Sequence, residues 1–223
     1  MKIGALISGG KDSLFAAYKA SKEHDLACLI SIKSKNPESY MFHTPNIHLV
    51  ELQAKAMDIP LILWETEGVK EEELNDLKQA IEIAKEKYRI EGLVSGAIKS
   101  NYQKERVDRI CKELGLKSIA PLWQTNEKMY LTELIKNFHV IITAIAADGL
   151  NKEMLGQRIG ITFWDRMQSL NVSPIGEGGE FESFVLECPL FKKKIKIEEF
   201  EIVTENEHIG QYLVKKAKIV QKD

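Results

Sequence analysis

Ile3-Gly4-Ala5-Leu6-Ile7-Ser8-Gly9-Gly10-Lys11-Asp12-Ser13 is the stretch on which the fold of this chain turns. The segment 3–7 reads as a buried strand, two glycines turn the backbone sharply, and Leu14, Ala17, Tyr18 and Ser21 follow at helical spacing. The helix thus opens with unpaired amides and the positive end of its dipole facing out of the turn, which suits an anion such as phosphate. Lys11 adds a full charge and Ser8 and Ser13 add hydroxyl donors, while the glycines allow an approach that a Cβ would obstruct. The phosphate loop G-x-x-x-x-G-K-[ST] does not match, because the chain has Ala5 and Asp12 where that pattern needs Gly and Ser or Thr. A carboxylate there cannot act as the Mg²⁺-binding hydroxyl of a GTPase or kinase-type site. A plain glycine turn with a solvated lysine is the bland alternative, and it leaves unexplained why two Gly, two Ser and a Lys meet at one strand-to-helix switch.

Working outward, the first half alternates strand and helix signals. Apolar segments 26–30, 60–64 and 92–95 read as strands. Leu74, Leu77, Ile81, Ala84 and Tyr88 form an amphipathic helical stripe, and Val107, Ile110, Cys111 and Leu114 mark another helix closed by Gly115. Thr44-Pro45 reads as an N-cap followed by proline at the first helical position, with Ile47, Val50, Ala54 and Met57 continuing that helix. Such alternation predicts right-handed βαβ units and an α/β fold with a doubly wound parallel sheet. A ligand then belongs beyond the carboxyl ends of the strands, at a topological switch point. The segments 8–13, 31–33, 40–44 and 95–98 should meet there, with Met41, Phe42 and Ile98 serving either as an adenine slot or as ordinary core.

The second half changes character. The run 140–145 is a buried strand, Asp148-Gly149-Leu150-Asn151 a turn, and Leu155, Ile159, Phe163, Met167 and Leu170 suggest short helices. Phe184-Val185-Leu186 is strand-like, and alternation after Ile195 and again from Tyr212 predicts antiparallel structure with one solvated face. A boundary near residue 120 divides the chain into a phosphate-binding unit, 1–120, and a smaller α+β unit, 121–223. Within the latter, Pro174-Ile175-Gly176-Glu177-Gly178-Gly179-Glu180-Phe181-Glu182-Ser183 packs three glycines and three carboxylates into one loop. Carboxylates so close repel one another unless an ammonium group or Mg²⁺ sits among them. An acidic solvated turn is the competing reading.

Composition narrows the class. At 223 residues, 44% hydrophobic and 29% charged, the chain is long enough and apolar enough to bury a full core. Its net charge of −2 gives no general attraction to nucleic acid or anionic membrane. Cys28, Cys111 and Cys188 form no C-x-x-C pair, so a thiol relay or iron–sulfur cluster lacks its usual ligands. No apolar run approaches the roughly 20 residues of a membrane span, and no signal-peptide layout opens the chain, so a cytoplasmic location is expected. The sequence leaves self-association into a homo-oligomer open.

Four segments carry a resemblance: Ser8-Gly9-Gly10-Lys11-Asp12-Ser13, Met41-Phe42-His43-Thr44-Pro45, Gly96-Ala97-Ile98-Lys99-Ser100-Asn101-Tyr102-Gln103 and Gly176-Glu177-Gly178-Gly179-Glu180-Phe181-Glu182. In them the chain resembles the archaeal diphthine–ammonia ligases, a branch of the PP-loop ATP pyrophosphatases. It departs from the family at Gly178, where Asn is common, and at Ser183, where Thr is frequent. The resemblance implies a PP-loop fold and an ATP- and Mg²⁺-dependent amidation of diphthine on elongation factor 2, with free ammonium as nitrogen source and release of AMP and pyrophosphate. It implies that Ser8, Gly9, Gly10, Lys11, Asp12 and Ser13 hold the pyrophosphate portion, with Asp12 positioning Mg²⁺. Ser31, Met41, Gly96, Ala97, Ile98 and Tyr102 would lie near the nucleotide. Glu177, Gly178, Gly179, Glu180 and Glu182 would face the trimethylammonium or the ammonium. Lys11, Asp12 and Glu180 are the expected catalytic residues. A non-catalytic ATP or AMP sensor, or a related ligase or tRNA-modifying enzyme with another acceptor, stands as the alternative.

Overall fold

A computed structural model describes residues 1–36, 45–69, 72–170 and 172–222. Its first part runs β1 (Lys2–Leu6), α1 (Lys11–Ser21), β2 (Asp25–Ser34), α2 (Val50–Met57), β3 (Leu61–Thr66), α3 (Glu72–Tyr88), β4 (Gly92–Val94), α4 (Asn101–Glu113) and β5 (Lys117–Ile119). The strands pair in parallel in the order β3-β2-β1-β4-β5. Strand order therefore reverses beside β1, and the crevice between the carboxyl ends of β1 and β4 is the switch point. The rest of the chain forms α5 (Glu127–Asn137), β6 (His139–Ala146), α6 (Ile161–Leu170), β7 (Phe181–Glu187), β8 (Lys194–Thr204) and β9 (Ile209–Val220). Its strands make an antiparallel sheet in the order β7-β6-β9-β8.

Both faces of the parallel sheet are covered, which is why its strands read as unbroken apolar runs. Cys28, Ile30 and Ile32 of β2 pack with Leu77 and Ile81 of α3 and with Val107 and Ile110 of α4. On the other face, Ile3, Ala5 and Leu29 pack with Leu14 and Phe15 of α1, and this core continues into Val140 and Ile142 of β6 and Phe184 of β7. Phe15 is the hinge of that continuity. Its ring meets Tyr130 edge-on at 5.2 Å and Phe138 at 5.4 Å. Burying each such ring contributes on the order of 2 kcal/mol.

Several local expectations change. Pro45 does not open a helix: it sits in a turn, Asn46 follows with φ 66°, a 3₁₀ turn covers Ile47–Leu49, and α2 begins only at Val50. The Asn46 side chain explains the detour, donating to the Tyr212 carbonyl and accepting from the Val214 amide, each at 2.8 Å, so it fastens this segment to β9. The short strand β5 goes unread in the sequence because three residues carry too little periodicity. Leu155 and Ile159 are not helical; that segment lies along β6, where Arg158 bridges to Ile141. Gly115 does close α4, with φ +64°. The β8–β9 ribbon is long, and over 198–204 β8 is exposed on both faces rather than the one face its alternation predicts, because this end projects beyond the core.

Candidate active site

The switch point holds a cleft of about 550 Å³, walled by the loop after β1, the loop after β4 and the segment 176–183. Local chemistry shapes each wall. Gly9 turns with φ +87°, and Gly10 takes the N-cap of α1 with no side chain to satisfy the amides behind it. The Ser13 hydroxyl instead ties the loop together, donating to the Gly10 carbonyl at 3.1 Å and accepting from the Ser8 amide at 3.2 Å. Gly96 presses directly on α1. A Cβ there would stand 2.8 Å from the Ser13 nitrogen and 2.9 Å from the Asp12 carbonyl carbon, so only glycine lets the β4 loop seat against the helix start.

The acidic segment reaches this loop through β7. The Lys11 amide donates to the Ser183 hydroxyl at 3.2 Å, and the Val185 amide donates to the Gly9 carbonyl at 3.0 Å. Gln53 of α2, fully buried, donates to both the Gly9 and Val185 carbonyls at 3.0 and 2.9 Å. Motifs some 170 residues apart in sequence are thereby stitched side by side, as those hydrogen bonds record.

Charge is concentrated in the cleft. The Lys11 side chain is only 4% exposed, with Nζ 2.8 and 3.0 Å from the two Asp12 carboxylate oxygens and 5.3 Å from the centre of the Phe181 ring. The Tyr130 hydroxyl donates to Asp12 Oδ1. Across the cleft Glu177 accepts from the Lys99 amide at 3.0 Å. Burial raises its carboxyl above the usual range, and the nearby Asp12 charge adds to the effect. Glu182 is pushed up to about 7, first by the protein packed around it and then by Asp12, with Lys11 opposing. Its side chain still opens on the cleft, so water reaching it moderates the push.

Of the residues expected from sequence, Ser8, Gly10, Lys11, Asp12, Ser13, Gly96, Ala97, Glu177, Gly178, Gly179 and Glu182 line this cleft. Gly9 lies just behind the wall, its carbonyl engaged by Gln53 and Val185. Four others stand apart from it. Ser31 sits between Ile30 and Ile32 on a strand whose side chains alternate; its neighbours face the cleft, and its own hydroxyl is buried without a partner among the described residues. Ile98 is core, 1% exposed. The Tyr102 ring stacks with the Arg106 guanidinium, 3.4 Å from the ring centre. Glu180 turns back on its own loop, accepting from the Gly178 amide at 2.8 Å, so Glu182 and not Glu180 presents its carboxylate to the cleft. Glu182 and Ser183 belong to β7 and not to the loop before it. Met41 and Phe42 fall outside the described residues.

Sequence reading missed part of the wall. Leu6, Ile30, Ile32 and Val107 give the cleft an apolar side suited to a flat base, yet as strand and helix residues they look like core. For Leu6, Ile30 and Ile32 the position toward the carboxyl ends of β1 and β2 was the only usable signal, and Val107, midway along α4, had none. Gln53 and Tyr130 have no local signature, since each acts through a residue remote in sequence.

Comparison with known proteins covers nearly the whole chain. Residues 1–118 match the family model for the diphthamide synthase N-terminal domain, and residues 126–220 match that for the diphthamide synthase C-terminal domain. The diphthine–ammonia ligase of Rattus norvegicus is 37% identical over 227 residues, covering 91% of this chain and 85% of that protein. The human diphthine–ammonia ligase is 36% identical with the same coverage of each. The Schizosaccharomyces pombe protein of that name is 32% identical over 100% of this chain but only 40% of its own length. A solved structure from Methanocaldococcus jannaschii, described as a predicted subunit of tRNA methyltransferase, aligns with a TM-score of 0.44 and 20% identity over 85% of this chain and 98% of that one. With both family domains matched in order and the rat and human relatives above 30% identity over 85% of their own length, the chain belongs to the diphthine–ammonia ligase family of PP-loop ATP pyrophosphatases.

Proposed function

We propose that this chain, a ligase of diphthamide biosynthesis, adenylates the carboxylate of diphthine on elongation factor 2 with ATP and then amidates it with ammonia. The chemistry requires activation, because a carboxylate oxygen is too poor a leaving group for ammonia to displace. Transfer of the adenylyl group makes the acyl carbon electrophilic and gives AMP as the leaving group, with pyrophosphate released first.

One observation carries this reading: Lys11 and the open start of α1 face Glu177 and Glu182 across a single cleft with an apolar side. The α1 amides and the Lys11 ammonium would stabilise charge developing on the departing pyrophosphate. The base would rest against Leu6, Ile30, Ile32 and Val107. Glu182, its carboxyl held near neutrality, is suited to take the proton that ammonium must lose before it can attack. Glu177 would offer charge to the diphthine trimethylammonium. No cluster of three His, Cys, Asp or Glu able to cage a metal exists among the described residues. The donor set instead fits Mg²⁺ held by one carboxylate, Asp12, together with substrate phosphates, and the ion would neutralise phosphate charge.

The test incubates the chain with ATP, Mg²⁺, ammonium and diphthine-bearing elongation factor 2. The expected result is the carboxyl-to-amide mass change, with AMP and pyrophosphate formed in step. Lys11→Ala should lower the rate by about 10²-fold or more with folding intact. ATP binding without any mass change would overturn the assignment. Failure to form AMP with any acceptor would favour a nucleotide sensor.

A further inference from the structure

Asp12 carries an unusual burden for a carboxylate beside a lysine. It is about one-third exposed at the cleft rim, yet both oxygens are engaged: Oδ2 by Lys11 Nζ, and Oδ1 by Lys11 Nζ and by the Tyr130 hydroxyl. Tyr130 comes from α5, the first helix beyond the parallel sheet, and is among the largest fully buried side chains. Its ring is fixed edge-on against Phe15. Phenylalanine would satisfy that packing equally well, so the hydroxyl is not needed to fill space. It is spent on the one carboxylate of the phosphate-loop motif. When a phosphate draws Lys11 away, the Tyr130 hydroxyl is the donor left to hold Asp12 in place.

We infer that Tyr130 is a positioning residue for the reaction, fixing the Asp12 carboxylate at the mouth of the nucleotide cleft and making α5 part of the ATP-binding machinery. The inference rests on the ligase reading for the reaction, but the contact itself can be measured without turnover.

Tyr130→Phe keeps the ring and should leave the unfolding midpoint nearly unchanged. It should lower kcat by about tenfold, the loss of one hydrogen bond to a charged group, with KM for the protein substrate unmoved. In an Asp12→Ala background, which leaves the hydroxyl no acceptor at that position, the same change should cost nothing further. Equal losses in both backgrounds, or a Tyr130→Phe rate within twofold of the parent, would overturn the inference. A readout independent of activity uses wild-type protein carrying ¹³Cζ-tyrosine. The Tyr130 resonance, assigned by its loss in Tyr130→Phe or by selective labelling, should shift in Asp12→Asn. It should shift again when a non-hydrolysable ATP analogue binds with Mg²⁺. An immobile resonance under proven analogue binding would refute the role even if Tyr130→Phe failed to fold. A moving resonance without amidation of elongation factor 2 would support the contact and count against the ligase reading alone.

Discussion

Gly96 shows how one missing Cβ determines a site. Alanine there would press on the Ser13 nitrogen and the Asp12 carbonyl carbon, both backbone atoms that cannot rotate away. Gly96→Ala should destabilise the protein by about 1–3 kcal/mol, as overpacking does, and displace the start of α1. Urea denaturation read alongside ATP calorimetry checks this; full stability with unchanged ATP affinity would show that the contact gives way. Glu182 is the second case. Its folded carboxyl titrates near 7 against about 4.5 in the unfolded chain, and Glu177 is shifted in the same direction. The folded state therefore holds the proton more tightly. The associated stability is fully present below about pH 4.5 and is lost as pH rises through about 7. Glu182→Gln should flatten this dependence, raising the urea midpoint at pH 8 relative to pH 5 when compared with the parent. Parallel pH profiles for the two proteins would refute it. The exposed face that Glu182 turns to the cleft makes the effect smaller than the shift alone implies.

At the level of elements, α2 does more than cover the parallel sheet. Gln53 projects from it to hold the Gly9 and Val185 carbonyls together, joining the phosphate loop to β7. Its own amide oxygen, Oε1, has no partner among the described residues. Gln53→Leu preserves approximate volume but removes both hydrogen bonds, and should cost about 1–3 kcal/mol by stranding buried acceptors. ATP affinity should fall with it, because the loop and the acidic strand lose their common anchor. Unchanged chemical denaturation together with unchanged ATP binding would mean that the Val185–Gly9 bond alone suffices. The elements themselves were largely readable. The stripe from Leu74 to Tyr88 became α3, and the alternation after Ile195 became β8. Pro45 failed as a helix starter because Asn46 is recruited by β9, a demand invisible to local propensity.

For the molecule as a whole, two sheets share one core. Phe15 touches Tyr130 and Phe138, and the same cluster includes Phe184, so the parallel sheet's covering helix is also the floor of the second half. We propose that residues 1–120 and 121–223 are functional halves of a single folding unit. Calorimetry of the full chain should give one transition, with equal calorimetric and van't Hoff enthalpies. A fragment 1–120 should melt broadly and bind hydrophobic dye, since it leaves Leu14 and Phe15 uncovered. Two resolved transitions in the full chain, or a cooperatively folded fragment, would reject this. No helix among the described residues is long and apolar enough to cross a membrane.

The sequence alone determined the glycine turn into an open helix start at 8–13, the alternation that builds a parallel sheet, and the acidic glycine segment at 176–182. These follow from local physics: backbone freedom at glycine, side-chain periodicity, and repulsion among neighbouring carboxylates. Only the tertiary structure decided that Glu182 enters the cleft while Glu180 folds back, that Ile98 is core, and that Tyr130 and Gln53 brace the loop. Each of those outcomes depends on which surfaces the shared core brings into contact, a long-range packing solution that no short stretch of residues encodes.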